Sequence, residues 1–91
     1  LPPRLNSAEF IVRGRNAFLK VQAEDNTGLR AFVVSDANAD SIVAGKKLSG
    51  KEASFELPVP AKIVEGSVKL NLILSDDGGH QTRVSKTFPE Q

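Results

Sequence analysis

The stretch that decides the fold is Val68-Lys69-Leu70-Asn71-Leu72-Ile73-Leu74, which is followed by Ser75-Asp76-Asp77-Gly78-Gly79. Apolar residues occupy every second position from Val68 to Leu74, and this spacing predicts a β-strand with one buried face. Asp and Gly are residues that favour turns, because Asp accepts local hydrogen bonds and Gly adopts positive φ angles. The stretch therefore predicts a strand over residues 68–74 and a tight turn directly after it.

The same period-2 alternation recurs on both sides of this stretch. It is clearest over residues 19–24, 29–34, 53–57 and 83–88, and shorter apolar runs lie at 9–12 and 41–44. The best helix candidate, residues 60–66, is only about two turns long, and an isolated helix of that length is marginal. About seven short strands separated by frequent turn residues indicate an all-β fold, an immunoglobulin-like antiparallel β-sandwich.

The composition excludes several classes of function. The 91 residues, numbered 1–91, make one domain, and the net charge is +1. The chain has no Cys, Met, Trp or Tyr and a single His. The lack of cysteine excludes disulfides, thiolate metal sites and cysteine nucleophiles. The near-neutral charge argues against nucleic-acid binding, and no apolar run approaches the length of a membrane span. With no methionine at all, we expect the domain to have been excised from a larger multidomain protein.

Two acidic loops form the strongest internal motif. Asp25-Asn26-Thr27-Gly28 follows one strand and Asp76-Asp77-Gly78-Gly79 follows another. In an immunoglobulin-like topology both loops lie at the same end of the sandwich. Asp25, Asp76 and Asp77 are therefore candidate ligands for a weak calcium site, because Ca²⁺ prefers several oxygen ligands. The alternative is that these residues only build turns, and the chain lacks the Asp-x-Asp-x-Asp-Gly spacing of a calcium loop. Nearby lysines offer charge compensation without a metal; they are Lys46, Lys47 and Lys51.

Three other residues are candidates for binding a partner. Phe18 and Ile73 fall on the polar side of their strands, where an exposed apolar side chain is a candidate for docking; the alternative is that single exposed apolar residues are normal on a protein surface. His80 follows the second acidic loop and is the only histidine. A general base needs a nucleophile and an orienting group, and the chain has no Gly-x-Ser-x-Gly motif. A single His with no Cys also argues against zinc catalysis. We therefore expect no catalytic residues and no cofactor, calcium being the one alternative.

Short motifs along nearly the whole chain carry a family resemblance. They are Pro2-Pro3, Val21-Gln22-Ala23-Glu24-Asp25-Asn26-Thr27-Gly28-Leu29, Phe55-Glu56-Leu57, Gly66-Ser67-Val68 and Leu74-Ser75-Asp76-Asp77-Gly78-Gly79. The chain resembles the immunoglobulin-like and fibronectin-like repeats of bacterial surface and periplasmic proteins. Similar domains also stand at the carboxyl end of bacterial processing proteases, behind a PDZ domain and a serine protease domain. The polar segment 35–50 departs from the pattern, because it is longer than a tight turn needs.

The resemblance implies an extracytoplasmic, periplasmic or secreted, module. Such a module would act by spacing, by docking or by ligand presentation toward other domains of its chain or toward a protein or peptide, and would be monomeric on its own. Pairing of an edge strand with a partner peptide is one physical route. An accessory domain that positions substrate or regulates a processing protease is the alternative. A carbohydrate-binding module is a third, weakened by the lack of Trp and Tyr.

Overall fold

The computed structural model describes residues 2–60 and 68–88 of the chain. All regular structure in these residues is β-strand, in seven elements: β1 (Arg4–Arg13), β2 (Asn16–Glu24), β3 (Leu29–Asp36), β4 (Ser41–Lys47), β5 (Glu52–Val59), β6 (Val68–Asp76) and β7 (Gln81–Phe88). The predicted helix candidate at 60–66 lies, apart from Pro60, outside the described residues. A search of the described part of the chain finds no helix able to cross a membrane.

The strands form two antiparallel sheets. The three-stranded sheet has the order β1-β2-β5, and the four-stranded sheet has the order β4-β3-β6-β7. Every pairing within them is antiparallel. The predicted fold class, an all-β antiparallel sandwich of about seven strands without a disulfide, is therefore confirmed.

The core lies between the two sheets and is made by the inward half of each alternation. Leu19, Val21, Phe32, Val34, Leu70, Leu72 and Leu74 are completely buried. Burying one such side chain contributes roughly 1.5–3 kcal/mol, so this layer is the main source of stability in a chain with no covalent cross-link. Leu5, Phe10 and Phe55 close its margins. The rings of Phe32 and Phe55 pack edge to face, with their centroids 5.7 Å apart.

The polar segment 35–50 begins with a turn that joins β3 to the edge strand β4. The Asp36 carboxylate accepts hydrogen bonds from the main-chain N–H groups of Asn38 and Ala39, at 2.8 and 3.2 Å. Asp40 then adopts a positive φ of 51°, which Asp tolerates better than most residues. This short turn returns the chain as β4 beside β3. The run of Ser, Asp, Asn and Ala is thus the local chemistry of one turn, residues 41–47 form β4, and residues 48–50 belong to the connection to β5.

Three connections meet at one end of the sandwich, which we call the loop pole: β2–β3 (residues 25–28), β4–β5 (48–51) and β6–β7 (77–80). Leu29 N donates to Gly50 O at 2.7 Å, and Asp77 N donates to Gly28 O at 3.0 Å. The first strand also begins at this pole, where Arg4 pairs with Glu24. The last strand ends at the opposite pole, where Phe88 pairs with Val68. The chain therefore enters and leaves the sandwich at opposite ends.

Candidate functional site

The two acidic loops do meet at the loop pole. Besides the Asp77–Gly28 hydrogen bond, the Asp77 carboxylate packs over Gly28, so that a Cβ atom there would lie 2.8 Å from Asp77 Oδ2. Gly28 has a φ of 143°, a conformation that side-chain-bearing residues rarely adopt. The glycine therefore permits both the turn and the close approach of the second loop.

The Asp25 carboxylate organises the β2–β3 loop from within. Its Oδ2 accepts hydrogen bonds from Thr27 N at 3.0 Å, from the Thr27 hydroxyl at 2.7 Å and from Gly28 N at 2.9 Å. The bond from the Thr27 hydroxyl is the largest influence on the pKa of Asp25, which lies below its ordinary value although burial opposes the shift. Asp25 is 7% exposed, and its Oδ1 is buried without a hydrogen-bond partner. Oδ2 therefore stabilises the turn, whereas Oδ1 accepts no hydrogen bond.

The Asp76 carboxylate does the same for the β6–β7 loop. It is 1% exposed. Its Oδ1 accepts a hydrogen bond from His80 N at 2.8 Å, and its Oδ2 lies 3.2 Å from His80 Nδ1. The main chain closes the same turn, because Asp76 N donates to His80 O at 3.1 Å. The His80 side chain is 55% exposed, so the imidazole lies on the surface with one nitrogen held by a buried carboxylate.

These bonds bear on the predicted calcium site. Asp25 Oδ2 and both oxygens of Asp76 already have protein partners, which leaves Asp25 Oδ1 and the exposed Asp77. Within residues 2–60 and 68–88, no group of three or more His, Cys, Asp or Glu side chains is arranged to hold a metal ion. Calcium binding by Asp25, Asp76 and Asp77 stays a prediction, which a calcium titration followed by thermal melting tests directly.

The nearby lysines do not neutralise the loops in the way that the sequence suggests. Among the described residues, neither Lys46, Lys47 nor Lys51 forms an ion pair with a loop carboxylate. Lys46 Nζ instead lies 5.8 Å from the centre of the Phe55 ring, a cation–π contact. Lys51 contributes its main-chain carbonyl, which accepts a hydrogen bond from Asp25 N at 2.8 Å.

Phe18 lies on the outer face of the three-stranded sheet and is covered by its own chain. In register it stands between Ile11 and Pro58. The guanidinium of Arg13 lies 5.6 Å from the ring centre. The same guanidinium donates to both oxygens of Glu56, at 2.7 and 3.0 Å. This bidentate pair raises the pKa of Arg13 and lowers that of Glu56. Phe18 is therefore the base of an intramolecular cluster.

Ile73 lies on the outer face of the four-stranded sheet, in different surroundings. Its cross-strand neighbours are Val33 and Arg83, and Val33 in turn faces Gly45. Ile42, 75% exposed, stands opposite Ser35 on the same face. Residues paired across antiparallel strands project on the same side of a sheet. Ile73 and Val33 thus form the apolar centre of this face.

The charges of this outer face are all positive. By register, its ionisable residues are Lys47, opposite Ala31; Lys69, opposite Thr87; and Arg83, opposite Ile73. The described residues of the face include no carboxylate, and none of these three cations has an ion-pair partner there. We call this surface the basic face: Lys47, Lys69 and Arg83 around Val33 and Ile73.

The structure does not bring the three predicted partner-binding residues together. Phe18 and Ile73 lie on opposite outer faces, and His80 lies in a loop at the loop pole. The basic face was not predicted from the sequence, although the alternation of β6 and β7 contained a signal for it. Lys69 and Arg83 occupy the polar side of strands that the sequence predicts. What joins them is the pairing of β6 with β7, which local sequence does not specify.

The four edge strands carry features that discourage pairing with another chain. β1 has a register shift between Leu5 and Ser7, and the pairing of β4 shifts between Val34 and Ser35. β5 contains Pro58, which lacks a main-chain donor. β7 is tied to β1, because the Thr82 hydroxyl donates to Pro3 O and Lys86 Nζ donates to Ala8 O. Bulges and proline are common protections of edges, so these features favour the faces over the edges for binding.

An open depression marks the outer face of the three-stranded sheet near the loop pole. It measures about 430 Å³ and is lined by Asn6, Gln22, Ala23, Glu24, Glu52, Ala53 and Ser54. Glu24 and Glu52 stand directly opposite each other across β2 and β5, and Arg4 lies 3.4 Å from Glu24. No aromatic ring lines the depression, so a sugar bound there would depend on hydrogen bonds alone.

Comparison with solved structures supports the fold. The chain superposes on part of the crystal structure of wild-type OgpA from Akkermansia muciniphila with a TM-score of 0.74 and 16% sequence identity. The match covers 97% of this chain and 28% of the OgpA chain. At this identity the likeness shows a shared β-sandwich fold. No protein-family model matches the sequence, and no curated protein matches it.

Proposed function

We propose that this chain is a non-catalytic interaction and spacing module, of immunoglobulin-like or fibronectin-like type, in a larger secreted or periplasmic bacterial protein. The observation that carries the proposal is the superposition on OgpA, where 97% of this chain matches 28% of a longer bacterial chain. A complete sandwich that recurs as a minor part of a long chain is the usual form of a structural module.

The geometry of the sandwich suits a spacer. The described chain begins at the loop pole and ends at the opposite pole, so a domain on either side would be separated by the length of the sandwich. Its longest dimension is 38 Å. The two sheets share one core, and β1 contacts β7 through the bonds from Thr82 and Lys86. A body closed in this way transmits position with little internal motion.

The contacts of Ser75 and His80 support a role without catalysis. The Ser75 hydroxyl donates to Ala31 O at 3.4 Å, and His80 Nδ1 faces the buried Asp76 carboxylate. A nucleophile–base pair requires the hydroxyl and the imidazole to bond each other. We therefore expect no peptidase turnover by the 91-residue chain. Turnover that disappears in His80→Ala and survives in the control Thr82→Ala would contradict this.

The native polypeptide provides the decisive experiment. An antibody raised against the 91-residue chain is used on fractionated cells of the source bacterium, and the captured polypeptide is identified by mass spectrometry. We expect a band well above 9.8 kDa in the periplasmic or secreted fraction. A cytoplasmic band at the mass of the chain alone would overturn the proposal. A serine protease domain ahead of the module would make it the accessory domain of a processing protease.

A further inference from the structure

We infer that the basic face docks on a neighbouring domain of the same longer polypeptide, on an apolar surface bordered by carboxylates. The inference rests on the proposed function, because it requires a longer chain. Its starting observation is the segregation of charge: Lys47, Lys69 and Arg83 share a face with no carboxylate among the described residues. The chain as a whole is nearly neutral, at +1, so a face of one sign is not imposed by composition.

The outer face of the three-stranded sheet differs from the basic face because it carries charges of both signs. There Glu9, Glu24, Glu52 and Glu56 are interleaved with Arg4, Arg13 and Lys20. Arg13 is bonded to Glu56 and Arg4 lies against Glu24. Two ion pairs therefore form within the domain on the three-stranded sheet, whereas the three cations of the basic face have no ion-pair partner among the described residues.

The arrangement of the basic face favours a protein surface as its partner. Ile73 and Val33 lie on the two central strands, while Lys47 and Arg83 lie on the two edge strands at either side. An apolar centre within a charged rim is the usual anatomy of a protein–protein interface. A polyanion binds best to cations that follow its path. The cations on the two edge strands are instead about 14 Å apart, three strand spacings, with apolar residues between them. Carboxylates are the partner groups that complement this rim.

The size of the face favours a domain of the same chain over a separate protein. Four strands cover about 20 Å and their length is about 25 Å, so the face measures on the order of 500 Å². Burying it would remove about 1,000 Å² in total from the two partners. Stable complexes between separate proteins bury roughly 1,600 Å², whereas domains of one chain meet over about 600–1,500 Å². A covalent linker raises the effective concentration to about millimolar, which makes a contact of this size sufficient.

Zero-length cross-linking of the full-length polypeptide tests the inference. A carbodiimide joins a lysine amine only to a carboxylate in direct contact, and mass spectrometry identifies the pair. We expect links from Lys47 and Lys69 to carboxylates outside these 91 residues, at least tenfold more abundant than links from Lys20 on the opposite face. We expect 0.5 M sodium chloride to reduce the Lys69 links about tenfold. The double variant Lys47→Glu/Arg83→Glu, in which Lys69 is the remaining lysine of the basic face, should reduce these links to the same extent. The control variant Arg15→Glu/Lys20→Glu, which makes the same charge change elsewhere, should leave these links intact.

The other outcomes are distinct. Links that are equally abundant from Lys20, or absent from Lys47 and Lys69 in a longer polypeptide, overturn the docking and leave the proposed function standing. Links between copies, detected in a mixture of ¹⁴N- and ¹⁵N-labelled protein, assign the face to self-association and overturn the neighbouring domain as occupant. A native polypeptide that consists of these 91 residues alone overturns both proposals. A melting temperature of Lys47→Glu/Arg83→Glu equal to that of the wild type shows that lost links do not reflect lost folding.

Discussion

The loop pole and the basic face make opposite use of their charged groups. At the loop pole, Asp25 and Asp76 are buried and bonded to the main chain of their own turns. On the basic face, Lys47, Lys69 and Arg83 point into solvent without an ion-pair partner among the described residues. A cluster of reactive residue types can therefore be structural, while an inconspicuous sheet face retains its capacity to bind. Substitutions should therefore lower stability at the loop pole and leave it nearly unchanged on the basic face.

The largest effect is expected from Asp76→Ala. This change removes the acceptor of His80 N and leaves a buried gap at the base of the β6–β7 turn. Loss of a buried hydrogen-bond partner costs about 1–3 kcal/mol in the free energy of unfolding. Asp77→Ala is the matched control, because the neighbouring carboxylate is exposed and should change the free energy by less than about 0.5 kcal/mol. Urea unfolding of the three proteins measures both. Equal losses would contradict the distinction between the two aspartates.

A somewhat smaller effect is expected from Gly28→Ala. The φ of 143° disfavours any residue with a Cβ, and the new methyl group would meet Asp77 Oδ2 at 2.8 Å. Backbone strain of this kind costs about 1–3 kcal/mol, and the Asp77 side chain relieves part of the clash by rotating away. Gly28→Ala/Asp77→Ala separates the two causes, since it removes the clash and keeps the strain. A double variant as stable as the wild type would show that the backbone conformation contributes nothing.

Asp25 is expected to make the stability of the fold depend on pH in the acid range. Because the pKa of Asp25 is lowered in the folded chain, its contribution to stability is complete above the ordinary aspartate value, about 3.9, and declines as the pH falls below it through the folded-state pKa. Asp25→Asn should be less stable at neutral pH and should lose less stability between about pH 4 and pH 2. Thermal melting across this range measures the difference. Parallel curves for the two proteins would show that Asp25 titrates alike in both states.

The smallest effects are expected on the two outer faces, and they differ in size. Lys20 stands between Glu9 and Glu56, so Lys20→Glu places three carboxylates side by side and should destabilise the fold by roughly 0.5–1 kcal/mol. Arg83→Glu introduces a carboxylate beside Ile73 on a face that has none, and should change stability by less than about 0.5 kcal/mol. Differential melting at low salt compares them. A larger loss for Arg83→Glu would mean that the basic face supports the fold.

Part of the site could be predicted from the sequence. Leu70, Leu72 and Leu74 define the inward side of β6, and Asp76 continues the same alternation, which is why it is buried while Asp77 is not. Asp25 likewise continues the inward series of Val21 and Ala23 in β2. Carrying the period-2 pattern two residues further would have identified both aspartates as buried turn formers. The prediction of Phe18 and Ile73 as outward residues followed from the same rule.

The sequence predicted seven strands, the turns between them and the inward side of the five strands with clear alternation. These features depend on neighbours within a few residues, through side-chain alternation and the hydrogen bonds of Asp and the φ freedom of Gly. Three features depend on the tertiary structure. They are the place of β4 in the four-stranded sheet, the cover of Phe18 by Arg13, and the shared face of Lys47, Lys69 and Arg83. Those outcomes require strands far apart in the sequence to pair in one register, and the register is set by the packing of the whole core.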